Sequence, residues 1–125
     1  MAQKISALLF QILESAEPKL SPLEIQLSSH YASNFFALDN HSDPLSFQFA
    51  AQFIEEAEFA LVIIWQEGNE STKGLQSIMN GLLKKRPSST ILTNFSHPWI
   101  KKLSKSMPVK SVSTISELLE TLKSY

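Results

Sequence analysis

Asp39, His41 and Asp43 stand at alternate positions in one polar segment, and one imidazole with two carboxylates is a donor set that suits a divalent cation. A simpler chemistry accounts for the same residues. Asp43 precedes Pro44 as an N-cap precedes a proline at the first helical position, and Asn and Asp are common turn formers. We therefore assign no metal here. The segment from Gln66 to Gly74 carries Glu67, Asn69 and Lys73 and runs into a helical pattern, the place where a phosphate-cradling loop lies. Its spacing is wrong for a P-loop, because Lys73 precedes the second glycine and Glu67 and Glu70 would repel phosphate. Glu67 and Asn69 remain candidates for gripping a ligand hydroxyl or amine. In a third segment Asn94, Ser96 and His97 precede Pro98, and Ser96 or His97 reads as a helix cap.

Ser28, Ser29 and His30 offer a further hydroxyl-imidazole cluster. Adjacency does not make a Ser-His nucleophile, since such groups are assembled by folding, and no G-x-S-x-G turn is present. The chain has no cysteine, which excludes a disulfide scaffold, a thiolate nucleophile and Cys-ligated zinc or iron-sulfur sites. We assign no catalytic residue and no cofactor. The ligand-binding candidates are Asp39, Glu67, Asn69, Asn94 and His97.

These residues need elements to position them. Ile5, Leu8, Leu9, Ile12 and Leu13 fall at i, i+3, i+4, i+7 and i+8, which predicts a helix over 2–16 stopped by Pro18. Pro44 opens a second helix to about Glu56. Phe59 to Trp65 is a β-rich apolar run without polar alternation, the pattern of a central strand covered on both faces. Leu75, Ile78, Met79, Leu82 and Leu83 form a helical stripe ending in Lys84-Lys85-Arg86, where cations suit the C-terminus. A strand over Thr90 to Phe95, a short helix from Pro98, a strand over Met107 to Val112 and a helix striped by Ile115, Leu118, Leu119 and Leu122 complete the order. The stretch 21–38 reads two ways. Leu23, Ile25 and Leu27 alternate like a strand, whereas Ser21-Pro22-Leu23-Glu24 is a capping box. We favour Phe35 to Leu38 as the sheet strand, with 23–28 either a helix or an extra edge strand.

At 125 residues, 43% hydrophobic and 18% charged, the chain fits one globular domain over 1–125. Its longest unbroken apolar run, Phe59 to Trp65, is far short of the ~20 residues of a membrane span, and the N-terminal run lacks the marks of a signal peptide. We expect a cytoplasmic protein with no membrane partner. Charge is lopsided: two lysines and ten acids lie in 1–70, and nine basic and two acidic residues in 71–125. Because an α/β sheet interleaves early and late elements, folding is expected to intermix the halves. Lys84, Lys85, Arg86, Lys101, Lys102 and Lys105 bring no aromatic interleaving, so nucleic acid is not an expected partner. Phe10, Leu45 and Phe49 lie off the stripes of their helices and add apolar surface of the kind that marks an oligomer interface.

Strands separated by helices imply right-handed parallel crossovers and a three-layer α/β/α sandwich with a mainly parallel sheet of four or five strands. From Phe35 onward this order resembles the flavodoxin-like class, including receiver and Toll/interleukin-receptor-like domains. A receiver would present an acidic pair after its first strand and a phosphoacceptor Asp after its third; here Asp39 stands alone and no aspartate follows Asp43. A flavodoxin would show a hydroxyl-rich phosphate loop, which the acidic loop after Trp65 does not supply. The resemblance therefore implies the fold and no activity. The expected function is non-catalytic: protein association, as a homodimer. The alternative is a small-molecule or nucleotide-binding domain with its site at the C-terminal strand ends.

Overall fold

The computed structural model describes residues 5–13, 22–31, 34–67, 74–85, 89–94, 97–105 and 107–123. The elements alternate throughout: β1 (Ile5–Leu13), α1 (Pro22–Tyr31), β2 (Phe35–Asp39), α2 (Pro44–Glu56), β3 (Phe59–Glu67), α3 (Leu75–Lys85), β4 (Ser89–Thr93), α4 (Pro98–Leu103), β5 (Val109–Ser111) and α5 (Ile115–Leu122). The five strands pair in parallel, in the order β2-β1-β3-β4-β5. This is the strand order of flavodoxin-like sheets.

The first element corrects the sequence reading. Residues 5–13 form a strand, not a helix, and it lies inside the sheet, paired with β2 from Ala7 to Gln11 and with β3 along its whole length. A strand buried on both faces must be apolar at nearly every position, and any such run also contains an i, i+3, i+4 stripe. Phe10, which falls off the helical stripe, belongs to the strand pattern: Leu8, Phe10 and Ile12 face one layer and Leu9 the other, all buried. Phe35–Asp39 forms the favoured strand, and Pro22–Tyr31 is a helix, one of the two readings left open for 23–28.

Strand alternation sorts the core into two clusters. Leu8, Phe10, Val62, Ile64 and Ile91 pack under α2, α3 and α4, and Leu9, Leu61, Ile63, Trp65 and Leu92 pack under α1 and α5. α2 and α3 lie side by side, and Gly81 keeps them close: a Cβ there would meet the Ala51 carbonyl oxygen at 3.1 Å. Gly74, at φ 92°, turns the chain into α3 beneath the Phe47 ring, where both the left-handed backbone and the space favour glycine. Among the described residues no helix is long and apolar enough to cross a membrane.

The strand order also overturns the expected mixing of charge. The acidic half builds β1, α1, β2, α2 and β3, and the basic half builds α3, β4, α4, β5 and α5. Because the sheet runs β2-β1-β3-β4-β5, the halves stay on opposite sides. Residues 71–116 contain eight Lys or Arg and no Asp or Glu, so the end carrying α3, β4, α4 and β5 is basic.

Candidate functional site

In open α/β sheets ligands lie beyond the carboxyl ends of the strands, at the point where strand order reverses. Here that point is between β1 and β3, where Leu13 pairs with Glu67. The connections that follow, including Asn69, lie outside the described residues. Glu67 ends β3 and is placed by its backbone alone.

Asp39 ends β2 at the sheet edge, and Gln11 of β1 stands between it and Trp65 of β3 in register. With neighbouring strands about 4.8 Å apart, the Asp39 backbone is roughly 10 Å from that of Trp65, near the β3 end. Its carboxylate is occupied locally: Oδ1 accepts from the His41 amide at 2.7 Å, and its own amide donates to Ser42 Oγ at 3.1 Å. Asp43 caps α2 by accepting from the Ser46 amide at 2.8 Å. The alternating acids are therefore a turn and a cap, and among the described residues no group of three or more His, Cys, Asp or Glu is placed to hold a metal. Glu24 of α1 lies near Asp39; its partial burial, and then the Asp39 charge, push its pKa above the ordinary carboxylate value.

Asn94 has a structural role that its position in sequence conceals. Its Oδ1 accepts from the Gln66 amide at 2.7 Å and its Nδ2 donates to the Gln66 carbonyl at 3.0 Å. The side-chain amide thus copies a peptide unit and carries the β3-β4 ladder past Thr93, where strand pairing ends. His97 caps α4: Nδ1 accepts from the Trp99 amide at 3.1 Å, and the two rings contact at 4.8 Å between centroids.

Asn94 and His97 share one cleft of about 520 Å³ beyond β4 and β5, with Lys101, Ser104, Ser111 and Ser113 also on its walls. Asp39 is not part of it. Sequence reading named Lys101 only within the basic set and missed the three serines, whose types look like ordinary surface until β5 folds beside β4. It also missed Gln11 and Asn40, buried polar residues at the carboxyl ends of β1 and β2. A glutamine interrupting an apolar strand was the available signal for the first.

A second feature lies on the helical layer over β2. Phe36 of β2 and Phe49 of α2 have ring centroids 4.7 Å apart, and Phe53 is 6.0 Å from Phe36 and 6.4 Å from Phe49. Phe49 remains 50% exposed and Leu45, one turn earlier, 74%. Asn34 O accepts from Ala7 N, and Asn40 N donates to Gln11 O. Even-numbered residues of β2 therefore point their backbone groups at β1, and Phe35 and Ala37 point theirs outward. Among the described residues β2 has no second strand neighbour.

No protein-family model, curated protein or solved structure matches this chain.

Proposed function

We propose that the chain is a non-catalytic, cytoplasmic α/β domain that acts through protein association and forms a homodimer across its β2 edge. The observation that carries this reading is the continuity of two surfaces: the outward backbone groups of Phe35 and Ala37, to which no other described strand pairs, and the exposed Leu45 and Phe49 beside them. Exposed edge strands template pairing with another chain, and most homodimers are two-fold symmetric. Two β2 strands pairing antiparallel about such an axis make one sheet across both copies. The same rotation brings the two α2 helices together on one face and covers their phenylalanines.

Light scattering and sedimentation test this. The wild type is expected to be a dimer that persists at high salt, because the contact is apolar and backbone-mediated. Phe49→Lys is expected to weaken dimerisation by about tenfold or more. Ala37→Pro removes an outward amide that β1 does not use, so the monomer folds and the dimer is lost. A wild type that stays monomeric at high concentration would defeat the proposal.

The cleft beyond β4 and β5 supports the alternative, binding of a small polar or anionic molecule by Lys101, Ser104, Ser111 and Ser113. A thermal-shift screen of nucleotides and sugar phosphates decides it: this reading requires a stabilising ligand whose effect disappears in Lys101→Ala.

A further inference from the structure

The basic end of the molecule carries an apolar groove, away from the β2 edge, that opens onto the core residues Met79 and Leu103. It runs between α3 and α4, has a volume of about 360 Å³, and is walled by Met79, Leu83, Trp99 and Leu103 with Gln76 and Lys102 among its polar margins. Leu83 is 48% and Trp99 39% exposed, so large apolar side chains face water on both walls. Trp99 is held in place. Its ring rests against His97, its amide is bonded to the His97 ring, and α4 is anchored below by buried Ile100 and Leu103. A pre-positioned tryptophan loses little freedom on binding, which is the property of an interface anchor.

Charge specifies the occupant. Lys102 is on the groove, exposed Lys101 precedes it in α4 and exposed Lys105 follows the helix, while Lys84, next to Leu83 on the opposite wall, is paired with Glu55 at 3.5 Å. The segment 71–116 that builds α3, β4, α4 and β5 supplies no carboxylate to offset Lys101, Lys102 and Lys105. Apolar walls with Lys102 at the margin match a helix or extended peptide that buries aliphatic or aromatic side chains and places Asp or Glu beside that lysine. Nucleic acid fits less well, because a strand needs a continuous basic track beside its aromatic stacking platforms, and among the described lining residues Lys102 alone is basic.

We infer that the groove between α3 and α4 is a docking site for an acidic, amphipathic peptide segment of a partner protein, anchored on Trp99 and Leu83 and steered by Lys102. The inference extends the association reading to a second surface at the opposite end of the sheet, so the two are separable by variants.

The test is selection of a random-peptide display library on the full-length chain, followed by fluorescence anisotropy of the selected peptides. The selected sequences are expected to combine Leu, Phe or Trp with flanking Asp or Glu. Trp99→Ala and Leu83→Ser are each expected to weaken them by about tenfold. Lys102→Glu weakens them with a reduced salt dependence, and Phe49→Lys, which disrupts the dimer, leaves them bound. Circular dichroism of each variant confirms that the fold is retained. The inference is overturned if no peptide is enriched, if enriched peptides are basic or indifferent to Trp99→Ala, if a single-stranded oligonucleotide competes for the groove, or if Trp99→Ala abolishes self-association, which would make a second copy the occupant.

Discussion

At one end of the sheet the outermost strand, β2, reads Phe-Phe-Ala-Leu-Asp and is flanked by a helix that turns Leu45 and Phe49 to water. At the other end the outermost strand, β5, is three residues long, carries exposed Lys110 at its centre, and lies beside a helix bearing Lys101 and Lys102. Short length and lysine are the means by which natural edge strands resist pairing. β5 has both and β2 has neither. Among the described residues the sheet is thus guarded against strand addition at its basic end and unguarded at its acidic end, which is why the proposed partners differ: a second copy at β2, an acidic segment at α3 and α4.

The contrast depends on a stable seam, and breaking the seam has the largest expected effect. Gly74→Val places a β-branched side chain at φ 92° and drives it into the Phe47 ring of α2. The combined strain and overpacking are expected to cost about 3 kcal/mol or more, read as a lowered urea midpoint. Next is the brace on the basic half. Asn94→Ala leaves the Gln66 amide and carbonyl without their partner and is expected to cost about 2 kcal/mol by the same measurement. Unchanged stability would return Asn94 to the list of groups available to a ligand.

Removing the guard from β5 would erase the contrast directly. Lys110→Val is expected to add a weak, concentration-dependent association at that edge, seen by sedimentation as species larger than the dimer, with little change in folding. The smallest effect lies at the acidic end. Because the fold raises the Glu24 pKa, folding favours its protonated form; the stability it contributes is present at low pH and lost as pH rises through the carboxylate range. Glu24→Gln is therefore expected to raise Tm slightly at neutral pH, with the difference vanishing below about pH 4. An equal gain at both pH values would assign the effect to packing instead.

Elements whose signal is local were legible in advance. Asp43-Pro44 fixed the start of α2, and the run Phe59 to Trp65 marked a strand with both faces covered because nothing in it is polar. Pro98 marked the start of α4, and the cap is His97, one of the two residues, Ser96 or His97, left open for it. β1 was misread because Ala, Leu and Gln favour helix locally and a dense apolar run satisfies both periods; only pairing with β2 and β3 breaks that tie. The candidate site suffered from the same limit. Asp39 and Asn94 were found as polar residues at strand ends, but their separation follows from strand order, and Asn94 is committed to Gln66, a residue 28 positions away.

The sequence by itself determined the alternation of strand and helix from Phe35 onward, the two-sided burial of β3, the caps, and the lopsided division of charge, because each is written in neighbouring residues. Tertiary structure alone decided that 5–13 is a strand, that the acidic and basic halves remain apart, and that Phe36 joins Phe49 at one end while Leu83 faces Trp99 at the other. Those outcomes depend on which strands pair. Pairing is set by the burial of whole faces against one another, and no local period records it.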